Sequence, residues 1–286
     1  MVLCQRPPIS DGVNALRTSI RDHVHKMVRA GEMHLDRPAG DPGLFGEGSE
    51  AWRIHADFSA MLIGGVASLL TQMLHPLALA GVWDHSDWRH DPHGRLARTA
   101  KFIALTTYGG TAQAEAAIAK VRRIHDHVTG TLPDGTPYAA NDPALLTWVH
   151  VVEADCFLRA HLAYREPGMS GARQDRYLAE MADVARRLGA GEVPQTRRAV
   201  AAYFREVRPE LRYDERTRDV AAALLNLAGS DGVIGGVGQV VMQAGVEMLQ
   251  PWAAAMHGLT MPAVQRPAVR AGALAAAGML RWALKS

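Results

Sequence analysis

Cysteine is almost absent. Cys4 and Cys156 are the two in 286 residues, and a pair so far apart cannot build the disulfide framework of a small secreted domain. A reducing compartment is expected. An excess of one charge is also missing: 31 basic and 29 acidic residues give a formal net charge of +2. They form no long basic run to grip phosphates, which argues against nucleic acid as a main partner. No uninterrupted apolar run approaches the ~18 residues of a membrane span. Met1 to Ser10, with two prolines and an arginine, lacks the apolar stretch of a secretory signal. The expectation is a soluble, cytoplasmic chain with no membrane span.

What is present is core-forming material. Hydrophobic residues make up 48% and charged residues 21%, a balance that buries a substantial core instead of staying unfolded. The length lies just above the usual size of one domain and no repeat of fixed period occurs. One globular domain over residues 1–286 is expected.

The punctuation is helical almost throughout. An amphipathic helix is expected over Asp11 to Ala30, then a Gly- and Pro-rich loop over Gly31 to Gly48. Ser49 caps a helix up to Gly64-Gly65, and a second apolar helix runs from Val66 to about Leu74. A short apolar segment after Pro76, a helix from near Arg95, and a periodic helix from Thr111 to about Val128 follow. Leu132-Pro133-Asp134-Gly135 has tight-turn chemistry, so one very short β-hairpin near 131–139 is the single β element expected. Asp142-Pro143 suits an N-cap and first helical position and opens a long helix to about Ala163. Five more helices follow: about Ser170 to Leu188, Gln195 to Val207, Arg216 to Leu227, Val237 to Met248 and Pro262 to Leu284. The fold class is all-α, a multi-helix bundle.

Thirteen histidines are the first candidates for chemistry. Ile118, Val121 and His125 share one helical stripe while Lys120, Arg123 and His127 share another, so His125 points inward and His127 outward. His150 shares a face with Leu146, Ala154 and Phe157. Spacing alone leaves both a hydrogen-bonded core histidine and a metal ligand open for His125. The His85, His90 and His93 cluster lacks compact zinc spacing and reads as a solvated loop. Gly232 to Gly238 lacks the third glycine and the preceding strand of a dinucleotide-binding loop.

Several segments together carry a resemblance. They are Gly64-Gly65-Val66-Ala67-Ser68-Leu69-Leu70-Thr71-Gln72-Met73-Leu74-His75-Pro76, Arg95-Leu96-Ala97-Arg98-Thr99, Val121-Arg122-Arg123-Ile124-His125-Asp126-His127-Val128-Thr129-Gly130, and Tyr138-Ala139-Ala140-Asn141-Asp142-Pro143 leading to Trp148-Val149-His150. In this order the chain resembles the haem-containing oxygenases that include the latex-clearing rubber oxygenases and the MpaB-type oxygenases, over a core of about residues 50–160. The C-terminal helices would complete the bundle.

The resemblance implies a b-type haem ligated from one side by a histidine. His125 matches best, His150 is the fallback and His127 the third choice. It also implies that Arg95, Arg98 and Thr99 lie near the haem, Arg95 as a partner for a propionate or for iron-bound oxygen. Arg98 stands where the rubber oxygenase has a lysine. Arg53 is a second possible propionate partner, and Gln72, with His75, a polar group of the pocket. No Cys-X-X-Cys-His occurs, so the haem would be non-covalent. The activity implied is oxidation or oxygenation of a small hydrophobic metabolite with dioxygen or peroxide. Two other readings stay open: a non-haem metal site using His125, His150 and Glu153 or Asp155, and a non-catalytic helical protein that binds a ligand or haem.

Overall fold

The computed structural model describes residues 34–228 and 232–284, with scattered positions between 14 and 22. The helix expected over Asp11 to Ala30 therefore lies largely outside the described residues. Twelve α-helices are described: α1 (Glu50–His55), α2 (Phe58–Gln72), α3 (Pro76–His85), α4 (Pro92–Tyr108), α5 (Thr111–His125), α6 (Pro143–Tyr164), α7 (Gly171–Leu188), α8 (Arg197–Val207), α9 (Glu215–Leu225), α10 (Gly232–Glu247), α11 (Pro251–His257) and α12 (Arg266–Leu284). Between α5 and α6 lies one antiparallel hairpin, β1 (Thr129–Thr131) and β2 (Pro137–Ala139), with Gly130 opposite Tyr138. The all-α class with one short hairpin is as the sequence implied.

Several helix boundaries differ from the sequence reading: α5 ends at His125 and not near Val128, α10 begins at Gly232 and not at Val237, and α12 begins at Arg266 and not at Pro262. The break expected at Gly64-Gly65 falls instead at Asp57, whose carboxylate accepts the Ala60 N–H at 2.9 Å and caps α2. Both glycines then lie inside α2 because packing outweighs their low helix propensity. A Cβ on Gly64 would sit 2.9 Å from the Cys156 carbonyl oxygen and 2.9 Å from the Phe157 ring, so glycine here lets α2 lie directly on α6. The sequence reading also passed over α11, which begins with Pro251 and ends at Gly258 in the left-handed conformation, φ 66°, as the usual start and stop chemistry dictates.

The α2–α6 pair is the axis of the molecule. Trp148 of α6 is 1% exposed, and its indole N–H donates to the Gln72 carbonyl at 3.1 Å, satisfying the exposed end of α2. One buried cluster extends from Ala51 to Ala273 through α1, α2, α3, α6, α7, α8, α9, α10, α11 and α12. Its buried charges are paired: Glu50 with Arg173 at 2.8 Å, Asp57 with Arg281 at 2.7 Å, and Glu247 with Arg270 at 2.9 Å. Among the described residues no single helix is long and apolar enough to cross a membrane. The α2–α3 pair passes that test only as two helices bent by 104°.

Candidate active site

The link between α5 and α6 brings two histidines together. His125 is the last residue of α5. Beyond it the chain turns through the hairpin, and the Ala140 N–H returns to the Val128 carbonyl at 2.9 Å. Asn141 then bonds to the Asp126 carboxylate, and Asp142 caps α6 by accepting from the N–H groups of Ala144 and Leu145 at 2.8 and 3.0 Å. The short span thus folds back on itself and places His150, two turns into α6, near enough to His125 for a charge on one to oppose a charge on the other.

Neither imidazole has a hydrogen-bond partner among the described residues, and the Nδ1 of each is buried. Other buried histidines are satisfied at one nitrogen or both. His55 bonds to Thr107 at 2.8 Å and Tyr177 at 3.0 Å, His257 donates to the Leu70 carbonyl at 2.7 Å, and His75 and His161 reach Glu210 and Glu166. His125 and His150 are therefore the exceptions in a fold that otherwise bonds its inward imidazoles. His150 also borders a cavity of about 10 Å³ lined by Val151, Ala154, Leu178, Met181 and Val200, room for roughly one water. Burial in these apolar surroundings, and secondarily the charge of His125, pushes the His150 imidazole down to about 4. Burial lowers His125 too, against the opposing pull of Asp126. Both rings are neutral at pH 7, the form that ligates a metal.

Arg95 of α4 is half-buried, and its guanidinium has no carboxylate or hydrogen-bond partner among the described residues. Burial, then the neighbouring Arg98, lowers its proton affinity. A buried guanidinium without an anion is costly, which suits a place where an anionic group arrives from outside the chain. Its neighbours in the motif are placed differently. Arg98 is exposed and pairs with Asp91 at 3.4 Å, and the exposed Thr99 hydroxyl donates to the Arg95 carbonyl at 3.4 Å. Arg53 is exposed and 3.5 Å from Glu50. Gln72 is tied to Ser68 at 2.8 Å and to the Val149 carbonyl at 3.2 Å, so its amide joins α2 to α6 one residue from His150. His127 is exposed, as its helical face implied.

The apolar walls follow from the same packing. On α2, Met61, Leu62, Gly65 and Leu69 form a stripe that is only half-buried. A Cβ on Gly65 would meet nothing closer than the Phe157 ring at 3.9 Å, so Gly65 leaves room where Gly64 has none. On α6, Val149, His150 and Glu153 are likewise half-buried. The chain of hydrogen bonds from Thr107 through His55 to Tyr177 was not anticipated from sequence. Its one signal was a histidine on the buried face of α1. Among the described residues no three His, Cys, Asp or Glu side chains converge as metal ligands.

A family profile described as ER-bound oxygenase mpaB/B'/Rubber oxygenase, catalytic domain, matches residues 52–282. The chain belongs to this family. Its membership covers both histidines, Arg95 and the helices that complete the bundle, well beyond the core in which the motifs lie. No curated protein and no solved structure matches the chain. Membership in this oxygenase family supports oxygenase activity for the chain.

Proposed function

We propose that the protein is a haem b-dependent oxidoreductase that oxygenates or oxidises a small hydrophobic metabolite with dioxygen or peroxide, with His125 as the iron ligand. The observation that carries this reading is the pair of neighbouring, neutral imidazoles, His125 and His150, that are bonded at neither nitrogen, in a fold whose buried histidines are each bonded at one nitrogen or both. When bound, haem b supplies an iron that activates dioxygen or peroxide.

The chain's own groups fit that cofactor. A half-buried, neutral His125 has a nitrogen lone pair to offer without first losing a proton. Arg95 would hold an anionic group such as a propionate by charge-assisted hydrogen bonds, which removes the cost of its unpaired burial. Gly65 and the half-buried apolar stripe of α2 suit a flat, largely apolar ring and exclude water from an apolar substrate. His150 stays neutral beside His125 and is the alternative ligand.

The test is an absorption spectrum of the protein after haem supplementation. A Soret band that is lost in His125→Ala and retained in His150→Ala supports the assignment. The converse moves the ligand to His150, and no Soret band in the wild-type protein refutes haem binding.

A further inference from the structure

We propose that Asn141 is a positioning residue for the His125 and His150 pair: its side-chain amide holds the last turn of α5 against the start of α6 and so sets where the His125 ring points. His125 is the final residue of α5, where a helix leaves its carbonyls unsatisfied and tends to fray. Its ring makes no hydrogen bond among the described residues, and its Nδ1 is buried without a partner. A metal-binding histidine is commonly oriented by a bond to its second ring nitrogen. With no such bond, the His125 ring takes its direction from the backbone of that last turn.

Asn141 grips the turn on both sides of His125. Its amide N–H groups donate to the Arg122 carbonyl at 3.4 Å, three residues before His125, and to the carboxylate of Asp126, the residue after it. Two acceptors fix which way the amide faces, and its own oxygen is left buried and unpaired. Next in the chain, Asp142 accepts the N–H groups of Ala144 and Leu145 at 2.8 and 3.0 Å and opens α6. Adjacent residues thus fix the end of one histidine-bearing helix and the beginning of the other. The hairpin between them is itself held. Tyr138 lies across Gly130, where a Cβ would sit 2.6 Å from its ring, and its hydroxyl donates to Asp84 of α3 at 2.7 Å, with His85 at 3.1 Å. α5 is also braced to α7, where the Arg122 guanidinium donates to the Arg187 carbonyl at 3.2 Å. These contacts set the hairpin against α3 and α5 against α7; the Asn141 amide sets α5 against α6.

This inference rests on the haem reading for its consequence, but not for the geometry. The test uses the full chain with nitrogen-labelled histidine, haem-free and haem-supplemented, as wild type, Asn141→Ala, Asn141→Asp, Asp126→Asn and the double variant of the last two, which exchanges amide and carboxylate across the same contact. In the haem-free protein the His125 ring, assigned by its loss in His125→Ala, should give one sharp set of resonances in the wild type. In Asn141→Ala that set should broaden or multiply while those of His55 and His257 stay unchanged. With haem, Asn141→Ala and Asn141→Asp should bind about 10-fold more weakly and show a shifted or split Soret band, at an unchanged melting temperature. The double variant should bind more tightly than Asn141→Asp alone. A His125 resonance unaltered in Asn141→Ala, haem binding equal to wild type in both Asn141 variants, or no recovery in the double variant overturns the proposal. Broadening of His55 and His257 along with His125 also overturns it, because the amide would then act on the whole fold. If the wild type forms no Soret band, the haem reading fails and the haem-free resonances alone decide on Asn141.

Discussion

His125 at the end of α5 and His150 within α6 sit close enough that a proton on His125 disfavours one on His150, and neither ring is hydrogen-bonded. Burial is the larger cause of the depression of His150, to about 4. The sign for stability follows. Unfolded histidine takes up a proton near pH 6.5, at about its free value, whereas folded His150 does not until the pH is much lower. Stability present above pH 6.5 is thus lost as the pH falls towards 4. In chemical denaturation at a series of pH values, His150→Leu should flatten this acid-side loss by at most about 1.4 kcal/mol per pH unit. An unchanged slope would show that His150 already titrates normally.

Arg95 and Arg98 are the closest pair of cations in the motif and make opposite predictions. Arg95 is partly buried and unpaired, whereas Arg98 is exposed and holds Asp91. Arg95→Ala should weaken haem binding about 10- to 100-fold, the value of one charge-assisted hydrogen bond, with little loss of fold stability. Arg98→Ala should leave binding within about twofold, as expected for an exposed ion pair. Haem titration followed by absorbance separates them, and equal losses would mean that Arg95 is not the anion-binding group.

The inward and outward faces of α5 were legible because helical periodicity needs only local residues. The same holds for the start of α6, where Asp142 caps and Pro143 follows. Asp57 carried a cap signal of equal quality, but Gly64-Gly65 masked it, since nothing local reveals that Gly64 lies against the Cys156 carbonyl. The site divides the same way. The burial of His125 could be read from spacing, but its nearness to His150 depends on how the hairpin closes between α5 and α6. That both rings lack partners while His55 and His257 have them depends on groups far away in the chain, Tyr177 and Leu70, so sequence patterns do not record it.

The paired glycines of α2 should respond oppositely to one added methyl group. At Gly64 the Cβ meets backbone and an aromatic ring at 2.9 Å, so Gly64→Ala must push α2 from α6 and should cost about 1–3 kcal/mol. At Gly65 the nearest atom is 3.9 Å away, and Gly65→Ala should add about 0.5–1 kcal/mol of stability through helix propensity. If the cofactor lies against this face, that more stable variant should also bind haem less tightly. Thermal melts and haem titration of the two variants check both parts, and destabilisation by Gly65→Ala would contradict the open face.

Arg173 joins two carboxylates that α1 and the α6–α7 turn bring together. It contacts both oxygens of Glu50 at 2.8 Å, and a Glu166 oxygen at 2.5 Å. Glu50 has a side chain only 3% exposed, so Arg173→Ala leaves a buried carboxylate with just the exposed Arg53 at 3.5 Å. The expected loss is about 3 kcal/mol in denaturant unfolding. Arg173 also holds the Glu50 carboxyl below the usual carboxylate range. Its stabilisation is therefore present at neutral pH and disappears as the pH falls through that lowered value. Combining Arg173→Ala with Glu50→Gln removes the stranded charge and should recover part of the loss. A double variant no more stable than Arg173→Ala alone would show that the arginine acts through packing of its aliphatic stem and not through the buried charge.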